Sequence, residues 1–145
     1  MNIFKFLCGL IKPADWRDRI TPDFVSSLRE NEIFVFGCRN SGRHLDGASA
    51  FALEHFGAVY GQREGLQGQS YAIPTIGGSI GLKEINDSVK RFTQYAAAHP
   101  DLHFLVTDIA CGGGGRHPMQ IAPMFRKASK LPNVWLPVDF WNVFV

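Results

Sequence analysis

Two stretches of this chain combine glycine with residues able to handle charge. The first is Gly37-Cys38-Arg39-Asn40-Ser41-Gly42-Arg43-His44-Leu45-Asp46-Gly47-Ala48, and the second is Cys111-Gly112-Gly113-Gly114-Gly115-Arg116-His117-Pro118. Glycine lets backbone N–H groups approach an anion and adopt positive φ, and a helix that follows adds unpaired N–H groups and a positive dipole end. Two such loops side by side would hold a diphosphate from both flanks. Neither carries the glycine fingerprint of a dinucleotide site or the lysine of a P-loop. The plainer reading gives the glycines to tight turns and helix stops, but four in a row exceed what a turn needs.

The side chains between these glycines each have a chemical and a structural reading. Asn40 offers a donor and an acceptor together, as a ribose diol requires, or is simply a turn residue after a strand. Asp46 either caps a helix or supplies a carboxylate that orients water toward a sugar carbon with oxocarbenium character. Arg43 and Arg116 suit phosphate through paired N–H donors, or serve loop solubility. His44 and His117 are expected as exposed loop histidines, with contact to phosphate or acid–base work as the alternative. Cys111, near a helix start that would lower its pKa, could serve as a nucleophile with His117 as its base; a small buried residue at a strand end is the preferred reading.

These loops need elements to hold them. Thr21 is expected to cap a short helix starting at Pro22, with Phe24, Val25 and Leu28 on one face. Residues 33–36, apolar throughout, read as a central buried strand ending at Gly37. Asp46 then opens a helix from Gly47 to about Phe56, stopped by Gly57. Residues 58–69 read as loop with a short strand and no assignable chemistry, and 71–73 as a strand closed by Pro74. A stripe of Ile85, Val89, Phe92 and Ala96 predicts a helix over 82–98. Residues 104–106 form another buried strand, and a helix is expected over about 119–130, where Pro123 fits only a first turn. Residues 134–136 close as a strand, with 143–145 as a further edge.

Strand and helix alternate four times, which predicts a three-layer α/β/α sandwich on a mostly parallel sheet. Ligands of such sheets bind at the carboxyl ends of the strands, where both glycine loops belong. All 145 residues are expected in one domain, with 1–17 as an N-terminal strand or packed extension. A net charge of +2 argues against a DNA or anionic-membrane surface. No apolar run is long enough to cross a bilayer. Three cysteines without a C-x-x-C pair fit neither a disulfide framework nor a structural zinc site, and imply a reducing, cytoplasmic setting. The apolar start, Met1 to Ile11, carries Lys5 inside it and no small-residue cleavage site, unlike a signal peptide.

With these residues in view, the sequence resembles a macro domain, the α/β module that binds ADP-ribose, over most of 18–140. Asn40 at its strand end is similar to the asparagine that contacts the distal ribose in that family. Asp46-Gly47-Ala48 is similar to the family's Asp-Gly-Ala step, and the run from Val106 to Gly113 to its second phosphate loop. The likeness is to small bacterial or phage members with a Cys-Gly pair there. Asp18-Arg19-Ile20-Thr21 stands where the family often has Gly-Asp-Ile-Thr, so Arg19 occupies the place of the aspartate that holds adenine. Arg43 and His44 replace the usual glycine run of the first loop.

The resemblance implies binding of ADP-ribose or an ADP-ribosylated macromolecule through Gly37, Asn40, Gly42, Arg43, His44, Gly47 and Ala48 on one side. On the other it implies Cys111, Gly112, Gly113, Gly114, Gly115 and Arg116, with Phe140 stacked on adenine. It implies no cofactor or metal. If the chain is an ADP-ribosyl hydrolase, Asp46 and Asn40 are the candidates for catalysis. Two other readings stay open: a non-catalytic reader of ADP-ribose or a related nucleotide, and a phage-type structural protein without ligand. Linkage, target and oligomeric state are not legible.

Overall fold

A computed structural model describes residues 11–145. The expectation of a strand or packed extension over 1–17 therefore lies partly outside the described residues. Near the start of the described residues a 3-10 turn, Trp16–Asp18, sets the Trp16 ring against Trp141 at 6.3 Å.

The centre is β1 (Glu32–Arg39), the apolar run read as a buried strand. It is joined in the sheet by β2 (Gly65–Gln67), β3 (Ser70–Ile76), β4 (His103–Val106) and β5 (Val134–Trp135), in the order β2-β3-β1-β4-β5. All neighbours run parallel except β2, which is antiparallel to β3. The chain is thus mixed α/β with a five-stranded, mostly parallel sheet. Among the described residues no helix is long and apolar enough to cross a membrane.

Both faces of β1 are apolar because both are covered. Ile33 and Val35 join a cluster with Ile85, Val89, Phe92 and Ala96, while Phe34, Phe36 and Cys38 join another with Ala52 and Phe56. The first four partners are the predicted stripe of α2 (Leu82–Ala98); of the last two, Ala52 lies in α1 (Gly47–His55) and Phe56 is its C-cap. The lower end of α2 is held by Asn133, whose Nδ2 lies 3.0–3.1 Å from the carbonyls of Ala96, His99 and Leu102.

Four expectations are corrected. Residues 21–28 form no helix. Instead Ile20 bridges Leu136 beside β5 and the Thr21 N–H donates to Leu136 O, so the extended backbone at 20–21 leaves Thr21 no helix to cap. The expected helix over 119–130 is cut into α3 (Pro118–Ile121) and two 3-10 turns, Ala122–Phe125 and Ala128–Lys130. Pro123 has no N–H and its ring collides with the carbonyl four residues back, which stops α-helix there. β3 runs through Pro74 rather than ending at it, because β2 pairs only as far as Ala72 and asks no donor of Pro74. Residues 143–145 add no edge strand; they follow the short helix α4 (Val138–Trp141).

Candidate functional site

The strand order places the glycine loops. From β1 the chain passes through α1 to β2 and β3 on one side, then through α2 to β4 on the other side of β1. The direction of winding therefore reverses between β1 and β4. Open α/β sheets bind ligands in the crevice outside such a switch point. The loop after β1 and the loop after β4 are the two that flank it. They leave the same sheet edge, and a Cβ on Gly37 would sit 3.5 Å from Ala110 N.

A cleft of about 490 Å³ opens beside this point. Its walls come from the start of α1 (Gly47, Ala48, Phe51), the residues just after β4 (Thr107, Asp108), the start of α4 with its cap (Pro137 to Asp139) and the 21–25 segment. That volume lies within the roughly 300–1,000 Å³ of small-molecule sites. Phe24, 69% exposed, meets Phe51 edge to face at 5.4 Å. Asp23, Asp108 and Asp139 also line the cleft, so one wall is aromatic and another carries carboxylates. Thr21 lines it too, and its Oγ1 is buried without a partner among the described residues.

A second, polar cleft of about 260 Å³ lies over the β3–α2 junction, lined by Asn40, Arg63, Ser79 and Glu84 among others. Beneath it, Glu64 takes a bidentate pair from Arg91 at 2.6 and 2.8 Å and a bond from the Ser88 hydroxyl at 3.0 Å. The Arg91 guanidinium holds the Glu64 carboxyl below the ordinary carboxylate value.

The predicted residues divide. Asn40, Gly47 and Ala48 line the clefts. Gly112, Gly113 and Gly115 stand with open space around their Cα atoms, while a Cβ on Gly114 would strike Ala110 O at 2.6 Å. Arg43 is exposed and Arg116 half-buried, the latter's N–H donating to Ala110 O at 2.9 Å. Asp46 stands at the N-cap position, but its side chain makes no capping bond; it pairs with Arg39 Nη2 at 2.8 Å.

Three predicted contacts are corrected by burial. His44 is 1% exposed, its Nε2 3.0 Å from Gln67 Oε1 and its ring edge-on to Phe36, so it faces the core and not a phosphate. Gly42 is buried under Gly61 and Arg63. Phe140 is wholly buried 5.6 Å from the Phe125 ring, so it has no free face for a base. The aromatics that line the cleft are the exposed Phe24 and the half-buried Phe51 instead. The pairing of Cys111 with His117 is absent as well: His117 Nδ1 accepts from Met119 N and caps its own helix.

Burial pushes the Cys111 thiol up to about 11 and the Cys38 thiol up to about 12. Both stay protonated at neutral pH and are poor nucleophiles. Iodoacetamide at pH 8 is expected to alkylate these two cysteines in the native protein far more slowly than in urea, followed by peptide mass spectrometry. Equal rates in the two states would contradict the burial.

Several site residues carried no recognised signal. Gly77, Gly78 and Gly81 form a third glycine-rich junction, after β3, and three glycines in five residues behind a strand were its mark. Arg63 and Asp108 had only their proximity to loop and strand. Family models, characterised proteins and solved structures contain no match to this chain.

Proposed function

We propose that this chain is a macro-type three-layer α/β/α domain that binds ADP-ribose or ADP-ribosyl groups. One observation carries the reading: the loop after β1 runs from one cleft to the other at the switch point. Asn40, at its start, lines the polar cleft, and Gly47 and Ala48, at its end, line the aromatic one. Such a site suits a ligand with two unlike ends joined by an anionic middle. A planar base fits beside Phe24 and Phe51, where Asp23, Asp108 and Asp139 accept from ring amino groups and repel phosphate. The diphosphate then lies over the glycines at 112–115 and the start of α1, whose first N–H groups no side chain caps. A hydroxylated sugar fits the smaller polar cleft.

Binding is the reading we favour over turnover. Asp46 would have to orient a water for hydrolysis, and its carboxylate is engaged by Arg39. The test is a thermal shift. At a ligand concentration about 100 times Kd, binding adds about 2.7 kcal/mol to stability, or roughly 5–10 °C in Tm for a chain of this size. ADP-ribose is expected to give that shift, and AMP or ATP a much smaller one. Equal shifts with all three would make the site a general nucleotide pocket. No shift with any would leave the structural-protein reading.

A further inference from the structure

The amide of Asn40 is held at its oxygen and has room at its nitrogen only because residue 78 is glycine. Its Oδ1 accepts from Arg63 Nη1, and its Nδ2 lies 2.8 Å from where a Cβ on Gly78 would stand. Its backbone N–H is committed to Ile76 O at 2.7 Å, so the residue cannot swing away without breaking the end of β3. An amide side chain has two orientations that exchange its oxygen and nitrogen at almost no cost in shape, and its neighbours decide between them. A guanidinium has five donors and no acceptor. Arg63 therefore admits only the orientation with oxygen toward it. The NH2 group is left over Gly78, at the polar cleft, without a partner among the described residues.

Arg63 is itself built into the loop and not merely draped on it. Cys38 Sγ donates to Arg63 O at 3.1 Å, and Gly61 N donates to Gly42 O at 2.7 Å. The side chain is exposed, but its backbone origin is fixed against the loop after β1. Of the three carboxylates lining the cleft, Glu64 is taken by Arg91 and Asp87 by Lys83 at 3.0 Å, and Arg63 donates to Asn40 and not to the third, Glu84.

We propose that Arg63 is a positioning residue: it locks the Asn40 amide so that the polar cleft presents an N–H donor and selects ligands bearing an oxygen acceptor there. A sugar hydroxyl or phosphoryl oxygen satisfies that donor, and a protonated amine in the same place, which has no acceptor, does not. The proposal rests on reading the two clefts as one ligand site, and its test separates the two.

The full chain is labelled with nitrogen-15, and the Asn40 side-chain NH2 pair is assigned by its loss in Asn40→Asp. In Arg63→Met the pair is expected to move, and in Arg63→Lys, which keeps a donor, to return most of the way. An unmoved pair in Arg63→Met overturns the lock, whatever the ligand. Titration calorimetry then compares ADP-ribose with ADP, which lacks the second sugar. Wild type is expected to prefer ADP-ribose about tenfold, and Arg63→Met to lose that preference while binding ADP as before. A preference that survives in Arg63→Met overturns the selection. If wild type binds neither compound, the ADP-ribose reading falls, and the resonance of Asn40 still decides whether Arg63 sets the amide. Because Arg63 is exposed, an unchanged Tm in the variants shows that they fold.

Discussion

Replacing Arg19 by methionine is expected to cost about 3–5 kcal/mol of stability, among the largest effects of any single change in this chain. Arg19 is 4% exposed, and its guanidinium donates at 2.8 Å to each of three carbonyls, Ser129, Leu131 and Val134. It lies 5.2 Å from the Trp141 ring centre, and its own carbonyl accepts from Trp141 Nε1 at 2.7 Å. One side chain thus ties the start of the described chain to the segment around β5. Methionine fills the space but leaves the buried carbonyls of Ser129 and Val134 without donors, each costing about 1–3 kcal/mol if water does not reach it, while Leu131 O keeps only the Val134 N–H at 3.1 Å. The Asp15 carboxylate, 3.3 Å from Nε but not aligned as a hydrogen bond, is mostly exposed and adds little. Urea denaturation followed by tryptophan fluorescence reads the loss, with a fall in Tm of roughly 8–15 °C. A loss under 1 kcal/mol would mean that the Ser129 and Val134 carbonyls find other donors and that the staple is dispensable.

The same residue shows where sequence reading stopped. By alignment of types, Arg19 stands in place of an acid expected to hold a base, so that the acid is either displaced or absent. Spatially, Arg19 points away from the cleft, and the carboxylate that lines it on this segment is Asp23, four residues on. The strands and α2 were legible because their signals are local: a run of apolar residues at 33–36, and a stripe of Ile85, Val89, Phe92 and Ala96, all fully buried. The 21–28 helix was misread because its signals, a threonine and a proline, were outbid by a partner 115 residues away, Leu136. Phe140 and His44 were misread for a related reason. Residue type says that a ring or an imidazole can meet a ligand, but only packing says which face is free. The glycine loops were placed correctly at one sheet edge because connection order alone fixes that in a parallel sheet. Which glycines border open space, and which are pressed against backbone, depends on neighbours distant in sequence.

Gly42 and Gly47 separate those two cases, and alanine at each should give different results. Both have positive φ, +71° and +58°, where an L residue is strained by about 1–2 kcal/mol. Around Gly47 nothing lies within 4 Å of an added Cβ, so Gly47→Ala is expected to cost that strain alone. Around Gly42 the added carbon would stand 2.8 Å from Gly61 C and O and 2.9 Å from Arg63 N, contacts closer than real side chains make. These are backbone atoms, so no rotamer change relieves them; one loop must move off the other. Overpacking of this kind adds about 1–3 kcal/mol, and Gly42→Ala is expected to lose about 2–5 kcal/mol in all. The movement has a direction. Pushing 61–63 outward breaks the bond from Gly61 N to Gly42 O and draws Arg63 away from Asn40. Gly42→Ala should therefore shift the Asn40 amide resonance as Arg63→Met does, without touching either side chain, whereas Gly47→Ala should leave it in place. Equal losses of stability from the two variants, with the amide undisturbed in both, would show that the loops give way to each other freely and that Gly42 is needed only for its φ. A larger loss at Gly42 with a displaced amide would make this buried glycine the point at which the packing of the fold sets the donor pattern of the site.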